Sequence, residues 1–190
     1  MTPIESVVVT SIETPLGAMV AAATLHELVL LEFGDRPMLP TQLQRIERRL
    51  QCTCTPGESR VIDALRSQLD QYFNSERQQF DVVLRAPGTP FQERVWRELR
   101  AIPAGSTRSY ADVATAIGQP TAVRAVARAN GDNRIAILIP CHRVIGSNGT
   151  LTGYGGGLWR KRRLLDLEAG AASLFQDVIA TDGPNARGHP

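Results

Sequence analysis

Short β-prone runs occupy Ser6–Thr10, Ala18–Thr24 and Leu28–Phe33. The turn signal Thr14-Pro15-Leu16-Gly17 separates the first two, and Gly34-Asp35 stops the third. Three runs this close together predict an antiparallel meander. The apolar period then changes from two to three or four. Leu43, Ile46 and Leu50 mark a helix over Thr41–Gln51. Val61, Ile62, Leu65, Leu69, Tyr72 and Phe73 mark a stronger one over Ser59–Phe73. Phe80–Leu84 reads as one more strand, and Arg85-Ala86-Pro87-Gly88 as a linker. The pattern therefore predicts a mixed sheet-and-helix domain over residues 1–88.

From residue 89 the pattern is helical and punctuated. Thr89-Pro90 is an N-cap followed by Pro at the first helical position. Phe91, Val95, Trp96 and Leu99 form the buried face of that helix, which ends at Pro103-Ala104-Gly105. Ser109, with Asp112 three residues on, opens a helix running to Ile117 and stopping at Gly118. Pro120 or Thr121 opens the next, through Asn130. Two short helices joined by Gly118-Gln119-Pro120 have the spacing of a helix-turn-helix, a pattern that plain packing units also show. Ile135–Ile139 is a buried, strand-like run ending in Pro140. Gly146–Gly157 is a loop with six Gly in twelve residues. Leu158–Ala169 is a last helix, and Gly170–Pro190 a loosely packed tail. The fold class is α/β (α+β), with residues 1–88 and 89–169 as two domains and 170–190 as a tail.

Hydrophobic residues at 43% fit a globular chain and exclude a disordered one. The net charge of +2 conceals an asymmetry. Residues 1–88 carry 8 Arg and 11 acidic groups, net −3. Residues 89–169 carry 11 Arg and Lys161 against 6 acidic groups, net +6. The basic groups are 20 Arg and one Lys. Arg suits bidentate contacts to phosphate, although genome base composition produces the same excess. No apolar stretch is long enough to span a membrane, and Met1–Thr10 lacks the pattern of a signal peptide. A reducing, cytoplasmic setting (nuclear in a eukaryote) is the default. Three cysteines do not make a disulfide framework. Cys52 and Cys54 have no second Cys/His pair at metal-site spacing, so they read as two reduced thiols with no metal.

The informative segment is Ile139-Pro140-Cys141-His142-Arg143-Val144. His and Arg next to a thiol favour thiolate. Neighbours on an extended chain point to opposite faces, so His142 needs a turn or a bridging water to act on Cys141. A carboxylate is wanted to orient the imidazole. Spacing does not choose between Asp132, Asp166 and Glu168. A nucleophilic Cys141 and a structural cysteine beside an incidental His both remain open at this point.

Pro140-Cys141-His142-Arg143-Val144 resembles the active-site signature of the O6-alkylguanine-DNA alkyltransferases, DNA-repair proteins that take an alkyl group from guanine O6 onto their own cysteine. The resemblance covers residues 89–169, and 14–88 more loosely. The family's other pieces stand in order: Ser109-Tyr110, Arg124 in Ala122-Val123-Arg124-Ala125-Val126, Asn133, Tyr154-Gly155-Gly156-Gly157 and Glu168. The resemblance implies an RNase H-like N-terminal domain with a supporting role and a helical C-terminal domain with a helix-turn-helix. It implies Cys141 as acceptor, with His142 and Glu168 drawing its proton through water. Asn133 would hold the active-site turn, and Tyr110 would protonate the leaving guanine. Arg124 would fill the gap left by an extruded base, with Tyr110, Thr121, Ala125 and Arg128 also on the DNA, in the minor groove. Val144, Ala136, Tyr154, Gly155 and Gly156 would line the alkyl pocket.

A thioether has no good leaving group, so each molecule would act once. The implied partner is double-stranded DNA carrying O6-alkylguanine, with O4-alkylthymine as a second substrate. The implied protein is a monomer that acts without a cofactor, with cooperativity on DNA left open. Two departures stand out. Arg134–Ile139 lacks the prolines some members carry there, and Ala136 and Gly156 are small, which predicts a roomier alkyl pocket. The animal members' zinc ligands have no match. Two other classes compete. Alkyltransferase-like lesion-binding proteins lack the cysteine, so Cys141 argues against them. A thiol hydrolase would need an oxyanion hole and would turn over.

Overall fold

The computed structural model describes residues 6–170; the proposed tail beyond Gly170 lies outside the described residues. Strands β1 (Val7–Ile12), β2 (Met19–Ala23) and β3 (Leu28–Phe33) form the predicted antiparallel meander. Val29 is the extra residue of a bulge, since Ala22 pairs with Leu30 and Ala23 with Leu28. Helix α1 (Leu39–Leu50) begins two residues before the expected Thr41, with Pro40 in its first turn. Strand β4 (Cys54–Pro56) was not foreseen, because three polar or kinked residues carry no alternation. It pairs in parallel with β1 and completes the sheet order β3-β2-β1-β4. Helix α2 (Arg60–Phe73) is capped by the Ser59 side chain on the Ile62 amide.

The two helices cover opposite faces of the sheet. Ile46 of α1 packs with Val7, Ala22, Val29 and Leu30. Ile62, Leu65 and Leu69 of α2 join Ala21, Ala23, Leu28 and Leu31. Every residue of β3 is buried, which is why its sequence reads as a continuous apolar run. Its one acidic residue, Glu32, is buried with it.

Helix α3 (Pro90–Arg100) starts at the predicted Thr89 cap, a full capping box with Gln92. Trp96 of α3 donates its ring N–H to the Ala129 carbonyl at 2.8 Å. Strand β5 (Arg108–Ser109) leads into α4 (Tyr110–Ala116), where Ser109 and Asp112 form the predicted capping box. Gly118, at φ +73°, turns the chain toward α5 (Val123–Gly131). Strand β6 (Val144–Ile145) pairs in parallel with β5, and α6 (Leu158–Glu168) closes the described chain.

Two predicted strands are absent. Phe80–Leu84 contributes one parallel bridge, Leu84 to Leu28. Ile135–Ile139 likewise contributes one bridge, Ile135 to Leu31. The outer edge of β3 is shared between these two segments, so neither extends into a ladder. The apolar side chains of Ile135–Ile139 are buried, whereas Phe80, Val82 and Leu84 are partly buried and Val83 is exposed. One continuous core joins the sheet and α2 to Val95, Leu99, Val113, Val126 and Leu164 of the helical half.

Candidate active site

Cys141 sits at the end of a tightly turned descent from α5. Ile137 has φ +70°, a conformation a β-branched residue rarely adopts. It centres a three-residue turn closed by the Leu138 amide on the Ala136 carbonyl at 2.8 Å. Pro140 centres a second such turn, with the Cys141 amide on the Ile139 carbonyl at 2.8 Å. Asn133 holds both. Its Oδ1 accepts from the Ile135 amide at 3.1 Å, and its Nδ2 donates to the Ile139 carbonyl at 2.8 Å. That same Nδ2 lies 3.1 Å from Cys141 Sγ. Asn133 therefore bonds the Cys141 thiol itself as well as the turn beneath it.

The turn required between Cys141 and His142 is present: Cys141–Arg143 form one 3-10 turn. The imidazole makes no hydrogen bond to the thiol. His142 Nε2 lies 2.9 Å from Glu168 Oε1, and His142 Nδ1 is buried with no protein partner. A carboxylate only accepts hydrogen bonds, so Nε2 carries the proton and Nδ1 keeps its lone pair when the ring is neutral. Burial lowers the His142 pKa, Glu168 opposes this, and the downward effect wins. His142 is thus a neutral base with a free lone pair. Glu168 is the carboxylate that spacing left undecided; Asp132 is engaged by Gln92 at 2.9 Å.

Glu168 is densely satisfied. Arg143 donates from Nε to Oε2 and from Nη2 to Oε1, each at 2.8 Å. The Tyr72 hydroxyl, from α2, donates to Oε1 at 2.8 Å. Burial pushes the Glu168 carboxyl up, but the bonds from His142 and Arg143 hold it well below the usual carboxylate range. Arg143 is consumed here and by the Ile102 carbonyl. The expectation that Arg143 favours thiolate at Cys141 is corrected by this geometry.

The Cys141 thiol is in fact pushed up to about 11, first by burial, with the Asn133 bond opposing. The cations acting on it are Arg36 and Lys161, and Glu32 opposes them. Lys161, the single Lys of the chain, is fully buried. Its Nζ donates to the Val144 carbonyl at 2.6 Å and the Thr152 carbonyl at 2.8 Å. Burial brings its pKa down to about 8.

Sequence reasoning missed Glu32, Arg36, Tyr72 and Lys161. A carboxylate inside the apolar run of β3, and one Lys among 20 Arg, were the available signals. Tyr72 gave none, because its ring fits the apolar face of α2.

Of the pocket residues, Val144 and Ala136 are buried at the thiol's level. Tyr110 is half-buried, and its hydroxyl reaches the Thr152 carbonyl at 3.4 Å. The Tyr154 hydroxyl is buried without a partner. Gly155 and Gly156 have no open space beside them. A Cβ at Gly156 would meet the Phe33 ring at 2.4 Å, and one at Gly155 would meet Arg36 Cζ at 2.4 Å. Side chains from the N-terminal half fill the space the glycines vacate. The remaining cavity beside Cys141 is about 10 Å³ and touches Glu32, Arg36, Asn133, Ala136 and Tyr154. Thr121, Arg124, Ala125 and Arg128 are exposed together, while Val126, Ala129 and Asn130 anchor α5 in the interior. Among the described residues, no three His, Cys, Asp or Glu side chains gather as a metal site. No described helix is long and apolar enough to cross a membrane.

The comparisons agree across the chain. Residues 7–86 match the 6-O-methylguanine DNA methyltransferase ribonuclease-like domain, and residues 90–170 match that family's DNA binding domain. A methylated-DNA–protein-cysteine methyltransferase of Mycobacterium tuberculosis (strain ATCC 25618 / H37Rv) is 46% identical over 163 residues, 85% of this chain and 92% of that one. The constitutive one of Bacillus subtilis (strain 168) is 40% identical over 162 residues, 84% of this chain and 93% of that one. The crystal structure of Mycobacterium tuberculosis OGT in complex with DNA superposes with a TM-score of 0.76 at 41% identity, covering 92% of this chain and 99% of that one. With both halves matched in order, and full-length relatives this similar, the chain belongs to the 6-O-methylguanine DNA methyltransferase family.

Proposed function

We propose that the protein repairs DNA by transferring the alkyl group of O6-alkylguanine irreversibly to Cys141. The observation that carries this is the buried set Cys141–Asn133 and His142–Glu168, standing in a chain of this family. A thiol held near 11 is not a thiolate at neutral pH, so its proton must leave as it attacks. The free Nδ1 of His142 is the acceptor, through a bridging water, with Glu168 stabilising the imidazolium. The sulfur forms a bond to the alkyl carbon while the carbon–O6 bond breaks. The electron pair goes to guanine, and the Tyr110 phenol supplies the proton that neutralises it. The product thioether cannot be hydrolysed, so each molecule acts once.

The target atom is inaccessible in a stacked duplex, and extrusion of the base into the pocket follows from that. Arg124, on the exposed face of α5, occupies the vacated position, with Thr121, Ala125, Arg128 and Tyr110 on the adjoining strand. A minor-groove footprint of small and basic residues reads little sequence, which suits lesions at any site. Residues 89–169 form the alkyltransferase and DNA-binding domain, and residues 1–88 the supporting domain. O4-alkylthymine is a second substrate. The protein acts as a cytoplasmic monomer without a cofactor. Incubation with DNA containing O6-methylguanine will add one methyl mass at Cys141. Cys141→Ala will bind the lesion without repairing it. Unmodified wild-type protein after complete repair would refute the proposal.

A further inference from the structure

The N-terminal sheet reaches the nucleophile through two charged side chains that the transfer chemistry above leaves unused. Glu32, at the end of β3, is 1% exposed, and its Oε1 accepts from the Phe33 amide at 3.0 Å. Its Oε2 is paired with Arg36. Arg36 spends its remaining donors on the helical half: Nη2 on the Gly131 carbonyl at 2.6 Å and Nη1 on the Asn133 carbonyl at 3.3 Å. Its guanidinium lies so close to Gly155 that no Cβ fits there. Both side chains border the cavity that Cys141 and Tyr154 also border.

A buried carboxylate costs folding energy, and this one is not repaid by a dense set of donors: desolvation dominates and its pKa is raised. Its placement makes sense through its neighbours. Arg36 ties down both residues that flank Asp132, and the second of these, Asn133, presents its amide to Cys141 Sγ.

We propose that Glu32 and Arg36 are a positioning pair for the Cys141 nucleophile. Arg36 clamps the Gly131–Asn133 backbone so that the Asn133 amide stays on the sulfur, and its positive charge favours thiolate at Cys141. Glu32 orients Arg36 and, as an anion beside the same cavity, disfavours thiolate. The pair thereby sets how readily the thiol ionises, from a half of the chain that carries none of the signature residues. The other titratable groups that face the thiol are Lys161 from α6, Tyr110 from α4, Tyr154 from the glycine loop and the adjoining His142. All four remain in the variants below.

The pair's role rests on Cys141 being the acceptor, but its test does not need DNA. Iodoacetamide reacts with thiolate, forming the S–C bond and releasing iodide. Labelling of Cys141 is followed by mass spectrometry across mildly alkaline pH, in wild type, Arg36→Gln, Arg36→Lys and Glu32→Gln. A charge beside a titrating group shifts it by about one pK unit, roughly a tenfold change in labelling rate at fixed pH. Arg36→Gln will label more slowly, Glu32→Gln faster, and Arg36→Lys close to wild type, with all four equal in denaturant. A loosened fold would speed labelling of every variant, so movement in one direction, or no movement, overturns the positioning role. Methyl transfer from O6-methylguanine DNA to wild-type protein, run alongside, fails only if the alkyltransferase reading itself is wrong.

Discussion

Each half of the chain buries one carboxylate near Cys141, and the two are treated in opposite ways. Glu168, at the end of α6, receives Arg143 twice, His142 and the Tyr72 hydroxyl, and is held well below its usual range. Glu32, in β3, has Arg36, the Phe33 amide and the Gln42 side chain, and burial still raises it. The difference lies in the strength of the donors. At Glu168 the bonds from Arg143 and His142 outweigh desolvation, whereas at Glu32 one cation shared with two backbone carbonyls, one amide and the Gln42 side chain do not. The well-satisfied anion is suited to remain ionised while the imidazolium forms beside it. The poorly satisfied one is suited to bias its surroundings.

This contrast yields a graded set of outcomes. The largest concerns the base that Glu168 supports. His142→Gln should lower the repair rate at neutral pH by about 100- to 10,000-fold, the usual worth of a general base. With no base, the rate follows thiolate and should climb about tenfold per pH unit until the pH nears the thiol's value of about 11. A flat profile in that variant would show that His142 does not take the proton.

Next in size is Glu168→Gln, which leaves Arg143 buried without its anion and should cost about 3–5 kcal/mol in urea unfolding. Glu32→Gln should cost less, because the neutral amide avoids the desolvation the carboxylate suffers and Arg36 keeps its bonds to the Gly131 and Asn133 carbonyls. Equal losses in the two variants would erase the distinction.

The pH dependence of stability separates them by sign. The folded-state value of Glu168 lies below its unfolded value near 4.5, so its contribution is present above that pH and lost as the pH falls below it. Glu32 is raised, so its contribution is present below 4.5 and lost as the pH rises through its folded value. Stability curves of the two Gln variants against wild type should therefore diverge in opposite senses on the two sides of that pH.

A smaller loss than that of Glu168→Gln is expected for Tyr72→Phe, which removes one hydroxyl bond to a carboxylate that keeps three others. About 1.5–3 kcal/mol is expected, with repair retained, as single-turnover kinetics will test.

The sheet half shows how much was legible and what misled. The meander and α2 were read from period and turn residues, because those signals lie within a few positions of one another. Phe80–Leu84 and Ile135–Ile139 were misread, because an apolar run reports burial and not the length of a ladder. In the helical half, Cys141, His142, Asn133 and Glu168 were all named in advance through the signature and its partners. The structure brings Cys141 with Asn133 and His142 with Glu168, while Arg143 serves the carboxylate and not the thiol.

By itself the sequence determined what depends on neighbours along the chain. These are the N-cap at Thr89, the capping box at Ser109, the period of each helix, and a cysteine followed by His and Arg. Such features rest on backbone geometry over three or four residues, where composition and spacing carry the information. Only the tertiary structure decided the thiol's surroundings. Tyr72 meets Glu168 across 96 positions, and Arg36 meets the Asn133 carbonyl across 97. No local pattern encodes contacts of that separation. They exist because β3 lends its outer edge to the segment that leads into Cys141, with Leu31 and Arg134 bonded at 2.9 Å. A desolvated thiol takes its ionisation from whatever charges the fold brings to it, and here two of the three, Glu32 and Arg36, come from the region the signature never mentions.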